Sequence, residues 1–392
     1  VREDPKKRGL LYVGTELGLQ MSADDGASWQ ALTMNFPPVA VHDMVVKNND
    51  LVIGTHGRSF WVFDDLTPLR ELASGAPAND VQLLPVQNAV RWNLSYNRGG
   101  GFGQMPNPQS GLVLHYWLKS KAKSVKIEIL DANGTVIRSY SNKPEVEPVL
   151  AVGEFGGRSS DTLSVLAGLH RTAWDLEHKG ADFIRDGQTD GGDVRSGPTA
   201  APGSYTVRLT VDGKTFTQTA QILADPRQTI NQAELAKTHA FTLAVRDTIS
   251  AVTRTVNQLR LVKKQLGERS ELLATGADTA KYSALLKSAK SLMSLCDSVE
   301  GKLHNATAKI AYDILAGKNN TGAKLYAVLA TLYDATKSDE PITQGMREVF
   351  QEEVQKFTAF RNEWQSVITR DVESWNKQAK ALDVPHVLVP VM

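Results

Sequence analysis

Between residues 111 and 224 apolar and polar positions alternate in twos, as in Val113-x-His115-x-Trp117 and Val125-x-Ile127-x-Ile129. That period places side chains on opposite faces of a half-buried antiparallel sheet. Asp131-Ala132-Asn133-Gly134 supplies a hairpin turn before Thr135-Val136-Ile137. Further strands are predicted at Gly168–Asp175 and Gly203–Leu209, and the turn Asp212-Gly213-Lys214 leads into Phe216–Ile222. About seven short strands of this kind predict an immunoglobulin-like β-sandwich over residues 111–227. There is no cysteine pair of the antibody type.

After Asp225-Pro226-Arg227 the apolar spacing changes to about 3.5, the period of packed helices. One stripe holds Val245, Ile249, Val252, Val256, Leu259 and Leu266, interrupted by Lys263. A second holds Tyr282, Leu285, Ala289, Leu292, Cys296, Val299 and Leu303, and a third runs from Phe350 through Phe357, Trp364 and Val372 to Trp375. A shorter helix is predicted over Ala323–Ala335, and Pro341 suits the first turn of the last long helix. These stripes predict an antiparallel α-helical bundle over residues 228–385, followed by a tail at 386–392.

The first 75 residues contain an internal repeat. Leu10-Leu11-Tyr12-Val13-Gly14-Thr15 recurs as Asp50-Leu51-Val52-Ile53-Gly54-Thr55, an offset of 40, and the same offset carries Asp24 onto Asp64. A period near 40 is that of a four-stranded β-propeller blade. Within the first copy, Ser22-Ala23-Asp24-Asp25-Gly26-Ala27-Ser28-Trp29 fits Ser-x-Asp-x-Gly-x-Ser/Thr-Trp. In such a turn Ser22 and Asp24 bond the local backbone, Gly26 takes positive φ and Trp29 covers the junction with the next strand. The second copy is eroded, with Val62, Leu66 and Leu69 in place of Ser22, Gly26 and Trp29. Two copies form a partial β-propeller over residues 1–75, since a ring needs about 4–8 blades. The remaining blades are expected upstream of Val1. Residues 76–110, with Pro77, Pro85 and the loop Asn97–Gly103, predict a linker.

Composition narrows the function classes. With 44 basic and 43 acidic residues the formal charge is +1, which gives no electrostatic case for nucleic acid. No apolar run reaches the length of a transmembrane segment. The single cysteine, Cys296, falls on a helical stripe and reads as a buried hydrophobe. The Asn97–Gly103 loop lacks a P-loop lysine, and Asp186–Asp193 lacks the acidic spacing of a calcium loop. No cofactor, metal or catalytic motif is read.

These residues resemble the bacterial sortilin-type, BNR (Asp-box) repeat propeller proteins, often called glycosyl hydrolase BNR-repeat or WD/YVTN/BNR-like repeat proteins. Besides the repeat and the Asp-box, the likeness is carried by Val41-His42-Asp43, His56-Gly57-Arg58-Ser59-Phe60-Trp61, Gly168–Leu176, Pro202–Val207 and Asp225-Pro226-Arg227. The resemblance implies an exported, extracytoplasmic, multidomain protein of which this chain is the C-terminal part. It carries over no catalytic residue, because the acids of related propeller glycosidases lie on loops of other blades. The expected role is non-catalytic binding of a protein or glycan through the propeller. The alternative is an accessory C-terminus of a glycoside hydrolase whose acids lie upstream. His42, Asp43, His56 and Arg58 are the candidates for a propeller face, and their spacing is not a standard zinc pattern.

Overall fold

Seven short strands occupy residues 2–63. In the first sheet β1 (Arg2–Glu3), β2 (Leu11–Thr15), β3 (Gly18–Ser22) and β4 (Gln30–Ala31) follow one another as antiparallel neighbours. The second sheet repeats the order with β5 (Val41–Lys47), β6 (Asp50–Thr55) and β7 (Phe60–Phe63). Alternation sends Tyr12, Leu19 and Met21 of the first sheet and Met44, Leu51 and Ile53 of the second into one shared core. Gly14 sets how closely the sheets approach: a Cβ there would lie 2.5 Å from Val41 Cγ1 and 2.9 Å from Met44 Cε. Helix α1 (Thr67–Leu72), with Pro68 in its first turn, follows β7.

The computed structural model describes residues 1–73, 75, 77, 79–92, 111–143, 162–184, 192–227, 231–275, 279–306 and 324–390. The chain is mixed β plus α, with its strands before residue 225 and its long helices after residue 231. It groups into two compact units. One takes the described residues of 1–147, 157–176 and 202–226, and the other takes those of 177–201 and 227–392.

The first unit contains two more sheets. In one, β10 (Leu112–Leu118) lies between β13 (Gly168–Trp174) and β8 (Val81–Leu83). The other has the order β12–β11–β14–β15–β9, formed by Val136–Ser141, Val125–Leu130, Gly203–Val211, Lys214–Ala224 and Ala89–Arg91. All its pairs are antiparallel except β15 with β9, which is parallel. Trp174, fully buried, meets Tyr205 edge to face at 5.3 Å. The stretch 76–110, expected as a linker, supplies β8 and β9. Each strand is three residues long, and Pro85 lies between them. The glycine loop at 97–103 lies outside the described residues.

In the second unit the apolar stripes drive helix packing. Helix α2 (Gln232–Ala274) is 43 residues long, about 64 Å at 1.5 Å per residue. Its N-terminus is capped by Asn231, whose Oδ1 accepts the Ala233 N–H at 2.8 Å. Helix α3 (Thr279–Leu303) runs antiparallel beside it, since Arg260 pairs with Glu300 and Lys263 with Asp297 in reversed order. Lys263, which interrupts the stripe, thus spends its charge on α3. Helix α4 (Leu325–Ala335) is apolar, and α5 (Gln344–Val367) continues through a π-helical turn at Ile368–Val372 into α6 (Glu373–Ala381). Thr343 caps α5 by accepting the Met346 N–H, so Pro341 precedes the helix and is not in its first turn. Val245, Ile249, Leu292, Cys296, Trp364 and Trp375 belong to one core.

Residues 177–201 fall within the range expected for the sandwich but pack with the helices. The Asp182 N–H donates to Ser250 Oγ at 3.0 Å, Thr253 Oγ1 donates to the Asp182 carbonyl at 2.9 Å and the Tyr333 hydroxyl donates to the Ser196 carbonyl at 2.8 Å. Ile184 and Val194 join the helical core. Of the Asp186–Asp193 loop only Gly192 and Asp193 are described, and Asp193 accepts a hydrogen bond from Arg195 Nε at 3.0 Å. Among the described residues no helix is long and apolar enough to cross a membrane.

Candidate functional site

The turn after β3 is a closed hydrogen-bond circuit. Ser22 Oγ donates to Asp24 Oδ1 at 2.7 Å and accepts the Gly26 N–H at 2.8 Å. Asp24 accepts the Ser28 N–H at 2.8 Å and the Ser28 hydroxyl at 2.5 Å. Asp25 (φ 59°) and Gly26 (φ 91°) both lie in the left-handed region that reverses the chain. A Cβ at Gly26 would meet the Trp29 ring at 3.8 Å, so Trp29 covers this corner, although 40% of it stays exposed. The bonds from the Ser28 hydroxyl and N–H, then from Ser22, hold the Asp24 carboxyl down to about 2. A carboxylate held so far down has no proton to give as a general acid near neutral pH.

Ser22→Ala is expected to cost about 1 kcal/mol, because the half-buried Gly26 N–H loses its acceptor. Asp24 contributes its stability above the ordinary carboxylate pKa of about 4, and the contribution is lost as pH falls toward 2. Thermal melts of wild type and Asp24→Asn should therefore differ at pH 7, and the difference should shrink as pH falls to about 2.

The repeat places different chemistry at the equivalent turn. Asp64 forms an ion pair with Arg171. Asp65 (φ 63°) accepts the Thr67 N–H at 3.0 Å and the Asn49 side-chain amide at 2.6 Å, and its other oxygen lies 3.4 Å from His115 Nδ1. Burial pushes the His115 imidazole below its ordinary pKa despite the Asp65 charge beside it. Asp24, Asp64 and Asp65 are thus engaged with turns and partners in their own unit.

His42, Asp43, His56 and Arg58 are all exposed. The register of β5 on β6 slips between Val41 and Asp43, so His42 is the extra residue of a β-bulge. His56 follows β6 in a tight turn closed by the Thr55 hydroxyl donating to the Ser59 carbonyl at 2.6 Å. The bulge and the turn bring the two imidazoles together, stacked with centroids 5.0 Å apart and planes 24° from parallel. Asp43 turns to Arg2, with Nη2 to Oδ1 at 2.7 Å. Arg58 offers its carbonyl to Trp61 Nε1 at 3.1 Å, and among the described residues its guanidinium makes no ion pair. The described residues hold no group of three or more His, Cys, Asp or Glu side chains arranged for a metal. The arrangement is a two-ring polar platform with a cation nearby in sequence, suited to stacking and hydrogen bonding.

Sequence reasoning missed a buried polar network in the same unit. Arg70 Nε donates to both oxygens of Asp4 at 2.9 and 3.0 Å, and Arg70 Nη1 donates to the side-chain oxygen of Asn49. Asn49 in turn reaches Asp65 and Thr67. Asp4 and Arg70 are 66 positions apart and belong to no local motif, so the chain carried no signal for them. At the end of α3, Glu300 and His304 (the residue after the helix) do have i,i+4 spacing, and they meet at 2.9 Å beside Arg260.

No protein-family model and no curated protein matches this sequence.

Proposed function

We propose that this chain is the non-catalytic C-terminal portion of an extracytoplasmic β-propeller protein and serves as a protein- or glycan-binding scaffold. In this reading the two sheets of residues 1–75 are propeller blades, β8–β15 form an immunoglobulin-like sandwich and the helices form an antiparallel bundle. The observation that carries it is the exposed His42–His56 stack, together with the engagement of the Asp24, Asp64 and Asp65 carboxylates by partners of their own. A glycosidase needs two carboxylates about 5–9.5 Å apart across an open sugar site. A stacked imidazole pair offers ring faces and N–H groups for recognition. The alternative, an accessory part of a glycoside hydrolase, is favoured by the Asp-box alone and leaves the same residues without catalytic work.

A glycan array probed with the tagged chain tests this reading. Binding is expected, with signal reduced at least about tenfold, some 1.4 kcal/mol, in the His42→Ala/His56→Ala/Arg58→Ala variant. Undiminished binding by that variant would show that the imidazole platform is not the binding face. Release of sugar from any arrayed glycan by this chain would overturn the non-catalytic assignment.

A further inference from the structure

The two sheets that open the chain are copies whose strand registers align position by position. Tyr12 opposite Met21 and Gly14 opposite Leu19 correspond to Val52 opposite Val62 and Gly54 opposite Phe60. In the first sheet this face is sealed, with Tyr12, Met21 and Leu19 at 0%, 3% and 4% exposure, because the second sheet packs on it. Gly14 there admits Val41 and Met44. In the second sheet the same face is bare: Phe60 is 80% exposed and Val62 52%, joined across β6 by Val45 at 52%. A Cβ at Gly54 would find only Asp43 O and the Phe60 ring, at 3.6 Å and beyond.

The edge agrees with the face. In the first sheet β3 is covered by β4, whereas the residues 40 positions beyond β4 lie in α1. Among the described residues β7 therefore ends its sheet, and Phe60-Trp61-Val62-Phe63 carries no charge or proline, the usual guards of an open edge. An exposed apolar face beside an unguarded edge marks a surface that is covered in the working protein.

We infer that the Val45, Gly54, Phe60 and Val62 face seats a further β-sheet of this same repeat, contributed by the polypeptide beyond residues 1–392. That sheet would lay an apolar pair spaced like Val41 and Met44 over Gly54, as the second sheet does over Gly14. The inference rests on the reading of the chain as part of a longer propeller, and it assigns the contact to named residues.

Phe60→Cys provides the test, because the substituted side chain is exposed and the only native thiol is unreactive. Cys296 is fully buried, and burial pushes its thiol up to about 12. Maleimide modification of the peptide containing position 60 is followed by mass spectrometry in two polypeptides, this 392-residue chain and the full-length protein. The shorter chain is held at a concentration where sedimentation shows a monomer. Rapid modification is expected in the shorter chain and at least about tenfold slower modification in the full-length protein. Equal rates in a full-length protein that carries further 40-residue repeats would overturn this contact and leave the propeller reading intact. A full-length sequence without such repeats would overturn both. Slow modification of the shorter chain that quickens on dilution would make a second copy the occupant and overturn the inference.

Discussion

Trp364→Ala is expected to destabilise the helical unit by about 3–5 kcal/mol, the range for removing a buried aromatic from a tight core. Trp364 is fully buried, and its indole N–H donates to Gln258 Oε1 at 2.6 Å. Gln258 passes the connection on by donating to the Pro390 carbonyl at 2.5 Å. The substitution therefore opens a cavity between α2 and α5 and also strands a buried amide oxygen. Trp364→Phe separates the two effects: it keeps most of the apolar volume and loses about 1–3 kcal/mol for the unsatisfied acceptor. Urea unfolding followed by far-UV circular dichroism measures both. A loss under about 1 kcal/mol for the alanine variant would mean that this core relaxes far more than close packing allows.

Asp4→Ala is expected to cost the first unit about 3–5 kcal/mol, because it leaves the buried Arg70 guanidinium without its counter-charge. The Asp4 side chain is fully buried and that of Arg70 is 10% exposed. Asp4 also accepts the N–H groups of Lys6 and Lys7 at 2.8 and 3.1 Å and the Tyr12 hydroxyl at 3.0 Å. Burial alone would raise the Asp4 carboxyl, but the bonds from Arg70 and Lys6 outweigh it and hold the group below its ordinary value. A lowered native pKa means that the unfolded chain takes up the proton first. The stabilisation is therefore complete above an unfolded value of about 3.9 and is lost as pH falls through the lower native one. The penalty of Asp4→Ala should shrink as melts move from pH 7 into that acid window. A penalty that holds constant would show that the charge contributes nothing. The double variant Asp4→Ala/Arg70→Met should recover part of the loss, since it removes the orphaned cation.

Local patterns were legible in this sequence to the extent that their physics is local. The Ser22–Ser28 circuit closes within seven residues, and the helical stripes need only a period to place Val245, Leu292 and Trp364 inward. Long-range partnerships left no such trace. Strands β8 and β9 are three residues each around a proline, too short to show alternation, and their pairing depends on β10 and β15 far along the chain. Residues 177–201 read as inter-strand loop because what holds them is Ser250, Thr253 and Tyr333, contributed from helices 50 or more positions away. At the candidate site His42 and His56 were nameable from sequence, but the stack between them depends on a bulge that no pattern announced.

The π-helical turn at Ile368–Val372 has a consequence for how the last helix is numbered against others. Inward positions step through Phe357, Phe360, Trp364 and Val367 in the three-and-four rhythm of a helical seam, and resume at Val372, Trp375, Ala379 and Leu382. The second series is one residue late, and the wide turn absorbs the surplus. Residues after Val367 therefore correspond to a regular seven-residue repeat only after one position is skipped. An alignment that carries the count straight through would assign Asp371 and Ser374 to the seam and rotate the interior assigned to α6 by about 100°, away from Trp375.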